Sequence, residues 1–120
     1  VLVVDGNGAM LNQYRNELYK LGFSVHVART GQDGIRKLGL TSYAFLLVNL
    51  ELSDMTWEEF VEKVKKTNGG LAERIVCCLV PGGKAEAGQE NLAKSGLKWF
   101  KMPLGVAEFQ GLIKQVAGRT

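Results

Sequence analysis

Two polar side chains that could take part in chemistry stand at the ends of short apolar runs. Asp5 follows four apolar residues at the start of the chain, and Asn49 lies near the end of the most apolar stretch, residues 44–50. A carboxylate at such a position can help to hold a hard cation, which prefers oxygen ligands and negative charge. A carboxamide is neutral and a very poor nucleophile, so we expect no covalent intermediate at Asn49.

The other reactive residue types form no recognisable site. Cys77 and Cys78 are adjacent in an apolar run, where neighbouring side chains point to opposite faces of a strand, so we expect two buried free thiols. The sole histidine, His26, lies in the middle of a predicted strand and has no motif around it. The turn at residues 6–9 lacks the hydroxyl groups of a flavin phosphate loop. We therefore predict no metal ion and no cofactor.

The elements that must position these residues alternate along the chain. Apolar runs predict strands at residues 1–5, 24–28, 44–50, 75–80 and 97–102. An amphipathic stretch follows each strand; Thr30 should cap the second helix, and Thr56 with Glu59 forms a capping box for the third. The fourth and fifth helices are predicted at 84–95 and 105–117. This alternation predicts an α/β fold, a doubly wound five-stranded parallel sheet with helices on both faces.

Composition limits the classes of partner. The chain has 120 residues and a net charge of +3, and no apolar run approaches the roughly 20 residues that span a membrane. Basic residues are scattered apart from Lys63, Lys65 and Lys66, so we expect neither a nucleic-acid partner nor a membrane partner. We predict one domain, residues 1–120. Because no methionine opens the chain, we expect that this domain belongs to a longer protein.

Three segments together resemble a response-regulator receiver domain of the CheY-like type. Residues 1–5 look like its opening strand, which usually ends in two acidic residues. Residues 45–55 are similar to its third strand and following loop, where an aspartate accepts phosphate, and residues 93–103 resemble its closing segment with a Lys-Pro pair. The resemblance implies the flavodoxin/CheY-like fold and a cytoplasmic role in two-component signal transduction.

The acidic half of the receiver site departs from the family pattern. Asp5 matches one member of the acidic pair, but Gly6 follows it, and Asn49 stands at the phosphoacceptor position. The pocket is thus short of a carboxylate for Mg²⁺ and lacks the nucleophile. One alternative keeps Glu51 and Asp5 as a weak cation site. Trp57 is expected either to cover this pocket or to pack against its own helix.

The other half of the site departs as well. The family has a Ser or Thr hydroxyl at the end of the fourth strand, and we place that position at Val80, or at Leu79 or Pro81 if a gap is moved. Met102 stands at the lysine position, next to the proline. A slipped alignment would instead use Lys101, which strand alternation directs to the opposite face.

The resemblance with these losses predicts a phosphorylation-independent pseudo-receiver, a protein interaction module and not an enzyme. Its partner would be a signalling protein or a second copy, bound through the last helix–strand–helix face, for which we predict Leu97, Lys98, Trp99, Phe100, Lys101, Phe109 and Gln110. One alternative is an atypical receiver with weak metal or phosphate chemistry in a rearranged site. Another is a small α/β enzyme, which lacks a convincing nucleophile–base pair.

Overall fold

The chain forms the five-stranded parallel sheet that its apolar runs predict. The computed structural model describes residues 1–81, 89–101 and 105–117. The strands are β1 Leu2–Val4, β2 His26–Ala28, β3 Leu46–Asn49, β4 Ile75–Leu79 and β5 Lys98–Lys101. Their order in the sheet is β2-β1-β3-β4-β5, and every neighbouring pair is parallel. The α/β fold class is therefore confirmed.

Helices connect the strands in sequence. They are α1 Gly8–Lys20, α2 Gly31–Leu38, α3 Trp57–Thr67, α4 Gln89–Lys94 and α5 Val106–Ala117. The fourth helix was predicted from residue 84, but residues 82–88 lie outside the described part of the chain. A 3-10 helical turn at Leu71–Arg74, before β4, was not predicted.

Side-chain caps define where the first three helices begin. The Asn7 carboxamide oxygen accepts the N–H groups of Ala9 and Met10, at 3.0 and 3.2 Å. Thr30 and Thr56 cap α2 and α3 as predicted, and each hydroxyl accepts the N–H group three residues on. In each of these three helices, the residue that precedes the first turn therefore supplies a side-chain cap.

Two apolar layers cover the two faces of the sheet. The α2–α3 layer joins alternate strand residues to α2, α3 and α4, and it contains Leu2, Val4, Leu38, Leu46, Val48, Phe60, Val64, Cys77, Leu79 and Leu92. The α1–α5 layer covers the other face and contains Val1, Val3, Leu11, Tyr14, Leu18, Phe45, Leu47, Cys78, Phe100, Phe109 and Ile113. Alternation along each strand divides its residues between the layers.

A glycine allows α2 to approach the sheet closely. A Cβ atom at Gly34 would lie 3.0 Å from Val4 Cγ2 and 3.4 Å from Phe60 Cε1. Both neighbours are completely buried, so neither has free space to move into. Close packing therefore requires a glycine at position 34.

One apolar residue of α5 lies on the surface. Val106 is 54% exposed, whereas Phe109 and Ile113 of the same helix are buried. It is the first residue of α5, and helical side chains lean toward the helix N-terminus, so Val106 extends past the end of its helix. In the described residues, no helix has the length and apolar character needed to cross a bilayer.

Candidate functional site

The carboxyl ends of β1 and β3 bring Asp5 and Asn49 together, as the sequence predicts. Val4 pairs in register with Val48, so the residue after each strand position meets its counterpart at the same edge of the sheet. The carboxamide Nδ2 of Asn49 donates to Asp5 Oδ1 at 3.1 Å. The backbone N–H of Asn7 donates to the same oxygen at 2.8 Å.

Asn49 uses both ends of its carboxamide inside the protein. While Nδ2 donates to Asp5, Oδ1 accepts the backbone N–H of Glu51 at 2.9 Å. The side chain is buried, with 7% of its surface exposed. Asn49 therefore links β1 to β3 and also holds the start of the loop before α3.

Asp5 is a completely buried carboxyl group with one oxygen left over. Its Oδ2 has no hydrogen-bond partner among the described residues. Burial raises the pKa of Asp5, and the hydrogen bonds from Asn7 and Asn49 and the positive charge of Arg29 offset only part of this effect. The charged form of Asp5 is thus disfavoured in the folded protein.

Arg29 lies at the rim of this pocket. Its guanidinium group donates to the backbone carbonyl of Gly6 at 2.8 Å. The contact ties the chain after β1 to the chain after β2, and it places a positive charge close enough to lower the pKa of Asp5. Neither Arg29 nor Asn7 was predicted as part of the site.

A buried hydroxyl–thiol pair lies on the same side of the sheet. Cys78 pairs in register with Asn49, and its Sγ is 3.0 Å from the Tyr14 hydroxyl oxygen. Burial raises the pKa of Cys78 to about 11, and it raises the pKa of Tyr14 as well. Both groups are therefore neutral, and the negative charge of Asp5 raises both pKa values further.

The pocket around Asp5 offers few ligands for Mg²⁺. Mg²⁺ is usually held through one or two carboxylates with near-ideal octahedral geometry. Gly6 supplies no carboxylate beside Asp5, and Asn49 supplies a neutral amide whose oxygen already accepts a hydrogen bond. The part of the chain that the structure describes holds no group of three or more His, Cys, Asp or Glu side chains suited to a metal ion. The alternative of a weak cation site formed by Glu51 and Asp5 stays a prediction.

The remaining predicted site positions lie at the ends of β4 and β5. Val80 follows β4 directly, is half-buried and carries no hydroxyl. Lys101 ends β5, pairs in register with Leu79 and is exposed. Trp99, two residues earlier, packs against the α2–α3 layer, so alternation places Lys101 on the face opposite to Cys78. Met102 lies outside the described residues, and its assignment stays a prediction.

The predicted interaction face needs a correction. Phe100 and Phe109 are 6% and 5% exposed and pack edge to face in the α1–α5 layer. They cannot present a contact surface, because both rings are buried inside this apolar layer. Leu97, Lys98, Trp99 and Gln110 are half-buried, and Lys101 is exposed, so these five retain accessible surface.

Trp57 contributes to the core and not to the Asp5 pocket. It is buried in the α2–α3 layer with Phe60 and Val61 of its own helix, which is the second of the two expectations for it. Its remaining surface lines a groove of about 490 Å³ between α3 and the turn before β5, next to Leu97 and Lys98.

The comparisons with known proteins agree with the fold. No family model matches the chain, and no curated protein sequence shows a significant match. Solved structures do match. A receiver domain protein from Clostridium thermocellum has a TM-score of 0.83 at 15% identity, covering 98% of this chain and 92% of its own. A CheY-like receiver domain from Methanospirillum hungatei has a TM-score of 0.80 at 22% identity, covering 98% and 91%.

A third similar structure contains a metal ion. It is the receiver domain of a sensor histidine kinase from Pseudomonas aeruginosa, with magnesium coordinated in the active site cleft. Its TM-score is 0.79 at 18% identity, covering 98% of this chain and 95% of that one. These three structures are receiver domains, and at these identities the likeness establishes the fold.

Proposed function

We propose that this chain is a phosphorylation-independent pseudo-receiver that acts as a protein interaction module in two-component signalling. The observation that carries the proposal is the state of Asn49. Its carboxamide has no nucleophilic oxygen, and both of its ends are engaged with Asp5 and with the backbone of Glu51. An active receiver needs at this position a free carboxylate that can attack phosphorus.

The Asp5 pocket supports the same function. With one carboxylate and a neutral amide, the pocket offers Mg²⁺ less negative charge than the acidic pair and phosphoacceptor aspartate of the receiver family would. The Asn49 N–H group instead supplies the partial positive charge that Asp5 requires. Hydrogen bonding inside the protein thus takes the place of a bound cation.

The accessible part of β5 and its flanks is the proposed contact surface. Leu97, Lys98, Trp99, Lys101 and Gln110 keep accessible surface there and offer an aromatic ring with basic groups around it. Aromatic side chains are enriched at protein interfaces. The partner would be a signalling protein of the cytoplasm or a second copy of the chain, and the role is binding, without catalysis.

One observation favours a second candidate, an atypical receiver with residual metal chemistry. Asp5 Oδ2 is buried and has no hydrogen-bond partner among the described residues, which is an unusual state for a carboxylate oxygen. A weakly bound cation would satisfy it. The two candidates differ in whether Mg²⁺ and a phosphodonor have any effect on the protein.

Incubation with acetyl phosphate and Mg²⁺, followed by intact-mass measurement, tests the proposal. We expect no added phosphoryl group, because Asn49 cannot form an acyl phosphate. A receiver domain with an intact acidic pocket serves as the positive control under the same conditions. Phosphorylation of this chain at residue 49, or at a nearby carboxylate such as Asp5, would contradict the proposal and favour the second candidate.

A further inference from the structure

The loop before α3 is fastened to the N-terminus of α2 by a carboxylate. Asp54 Oδ1 accepts the backbone N–H of Gly31 at 2.9 Å, and Oδ2 accepts that of Gln32 at 2.8 Å. The first N–H groups of a helix have no acceptor within the helix. The hydroxyl of Thr30 accepts the next one, from Asp33, at 3.1 Å. All three N–H groups therefore have an acceptor, and two of them donate to Asp54, which is more than twenty residues away along the chain.

The neighbouring residue packs on the same turn of helix. A Cβ atom at Gly31 would lie 2.8 Å from Met55 Sδ and 2.9 Å from Met55 Cγ. Gly31 therefore leaves space that the Met55 side chain fills, and Met55 also packs against the α2–α3 layer. Polar and apolar contacts join the loop to the helix at one place.

The charge of Asp54 suits this contact. The N-terminus of a helix carries a partial positive charge, which attracts anions. Slight burial alone would raise the pKa of Asp54, but the N–H groups of Gln32 and Gly31, with the charge of Lys63, hold it below its ordinary value. Asp54 is therefore ionised at neutral pH.

We propose that Asp54 and Met55 form a clamp that fixes the β3–α3 loop to α2, so that the loop and the helix N-terminus open together. The other end of the loop is held by the hydrogen bond from Glu51 N–H to Asn49. The clamp is a property of this fold and stands whether or not the chain accepts phosphate. Its effect is to keep the surface formed by the loop and α2 in a single arrangement.

Hydrogen exchange at the two clamped amides gives a direct test. In Asp54→Ala, we expect the amides of Gly31 and Gln32 to exchange at least about fivefold faster, because loss of a helix cap costs about 1 kcal/mol. Asp54→Asn, which preserves the side-chain shape, should show a smaller increase. Glu58→Gln is the matched control, since Glu58 is an exposed acid in the first turn of α3. Unchanged exchange at both amides in Asp54→Ala would overturn the proposal.

A pair of variants tests the apolar half of the clamp. Gly31→Ala should displace Met55 and raise exchange at Gln32, because the new methyl group would overlap the thioether. Met55→Ala removes the thioether without changing Gly31, so it should also raise exchange at Gln32, and adding Gly31→Ala to it should have little further effect because no overlap remains. An exchange rate at Gln32 in Met55→Ala equal to that of the wild type would show that Met55 has no part in the clamp.

Discussion

At the scale of single residues, the central feature of the candidate site is one buried carboxyl group, that of Asp5. Burial disfavours the charged form of Asp5, and the amide of Asn49 donates a hydrogen bond to only one of the two carboxylate oxygens. The amide at the end of β3, that of Asn49, supplies the donor to Asp5. The sequence predicts which two residues meet, because parallel strands end at the same edge. It does not predict that Asn7 and Arg29 also affect the pKa of Asp5, because the positions of these two residues depend on loop geometry.

Asp5→Asn should stabilise the folded protein at neutral pH, on the order of 1–2 kcal/mol, because it removes a buried charge and keeps the side-chain shape. Since the pKa of Asp5 is higher in the folded than in the unfolded chain, the wild type loses stability as pH rises through the folded pKa. The advantage of the variant should therefore shrink as pH falls toward the ordinary value of 3.8. Urea unfolding across this range measures it; a constant advantage would contradict the assignment.

Asn49→Asp alone should not restore efficient phosphorylation. The change supplies a nucleophile, but Gly6 still leaves the pocket short of a carboxylate for Mg²⁺. It also replaces the donor to Asp5 by a like charge, which should lower stability at neutral pH by about 1–3 kcal/mol. Asn49→Ala, which removes the donor without adding charge, is the control for the stability effect. Robust labelling by acetyl phosphate would show that other groups complete the site.

At the scale of elements, the sequence predicts the order and type of strands and helices, and most of their caps. Thr30 and Thr56 are found where the pattern places them, because capping is local. Contacts between distant segments escape such reasoning: Asp54 caps α2 from another loop, and the α1–α5 layer buries both Phe100 and Phe109. A predicted exposed face was therefore partly core.

Two glycine substitutions in helices should have opposite effects on stability. Gly34→Ala should destabilise by about 1 kcal/mol or more, because the new Cβ would press on Val4 and Phe60 in a filled core. Gly111→Ala in α5 is the matched control, since nothing lies within 4 Å of its added Cβ. It should stabilise by about 0.5–1 kcal/mol through helix propensity. Thermal unfolding of both variants measures this difference; stabilisation by both would mean that α2 packs less closely than described.

At the scale of the whole molecule, the fold is that of receiver domains, and the pocket at the carboxyl edge of the sheet contains Asp5 and Asn49. The likeness to solved receiver structures extends over 98% of the chain, although identity does not exceed 22% among those compared above. The periodicity of the apolar residues was sufficient to predict the fold class. The chemistry of the pocket depends on a few polar residues that periodicity does not constrain.

Millimolar Mg²⁺ should leave the melting temperature unchanged relative to a control of matched ionic strength. A ligand that binds only the folded state raises the free energy of unfolding by RT ln(1 + [L]/Kd). An unchanged melting temperature therefore means that Mg²⁺ binds with a Kd weaker than millimolar. Asp5→Ala, which removes the carboxylate, should respond to Mg²⁺ in the same way as the wild type. A rise of several degrees that is lost in Asp5→Ala would show that the metal site survives.

The two adjacent cysteines sit in different layers of the molecule. Cys77 belongs to the α2–α3 layer and Cys78 to the α1–α5 layer, and both are completely buried. A thiol-specific reagent can reach each one only when its own layer opens. The variants Cys77→Ser and Cys78→Ser each keep one of the two thiols. The labelling rate of each variant therefore measures how fast the helices on one side of β4 detach from the sheet. Equal labelling rates would mean that the sheet is uncovered on both sides at once.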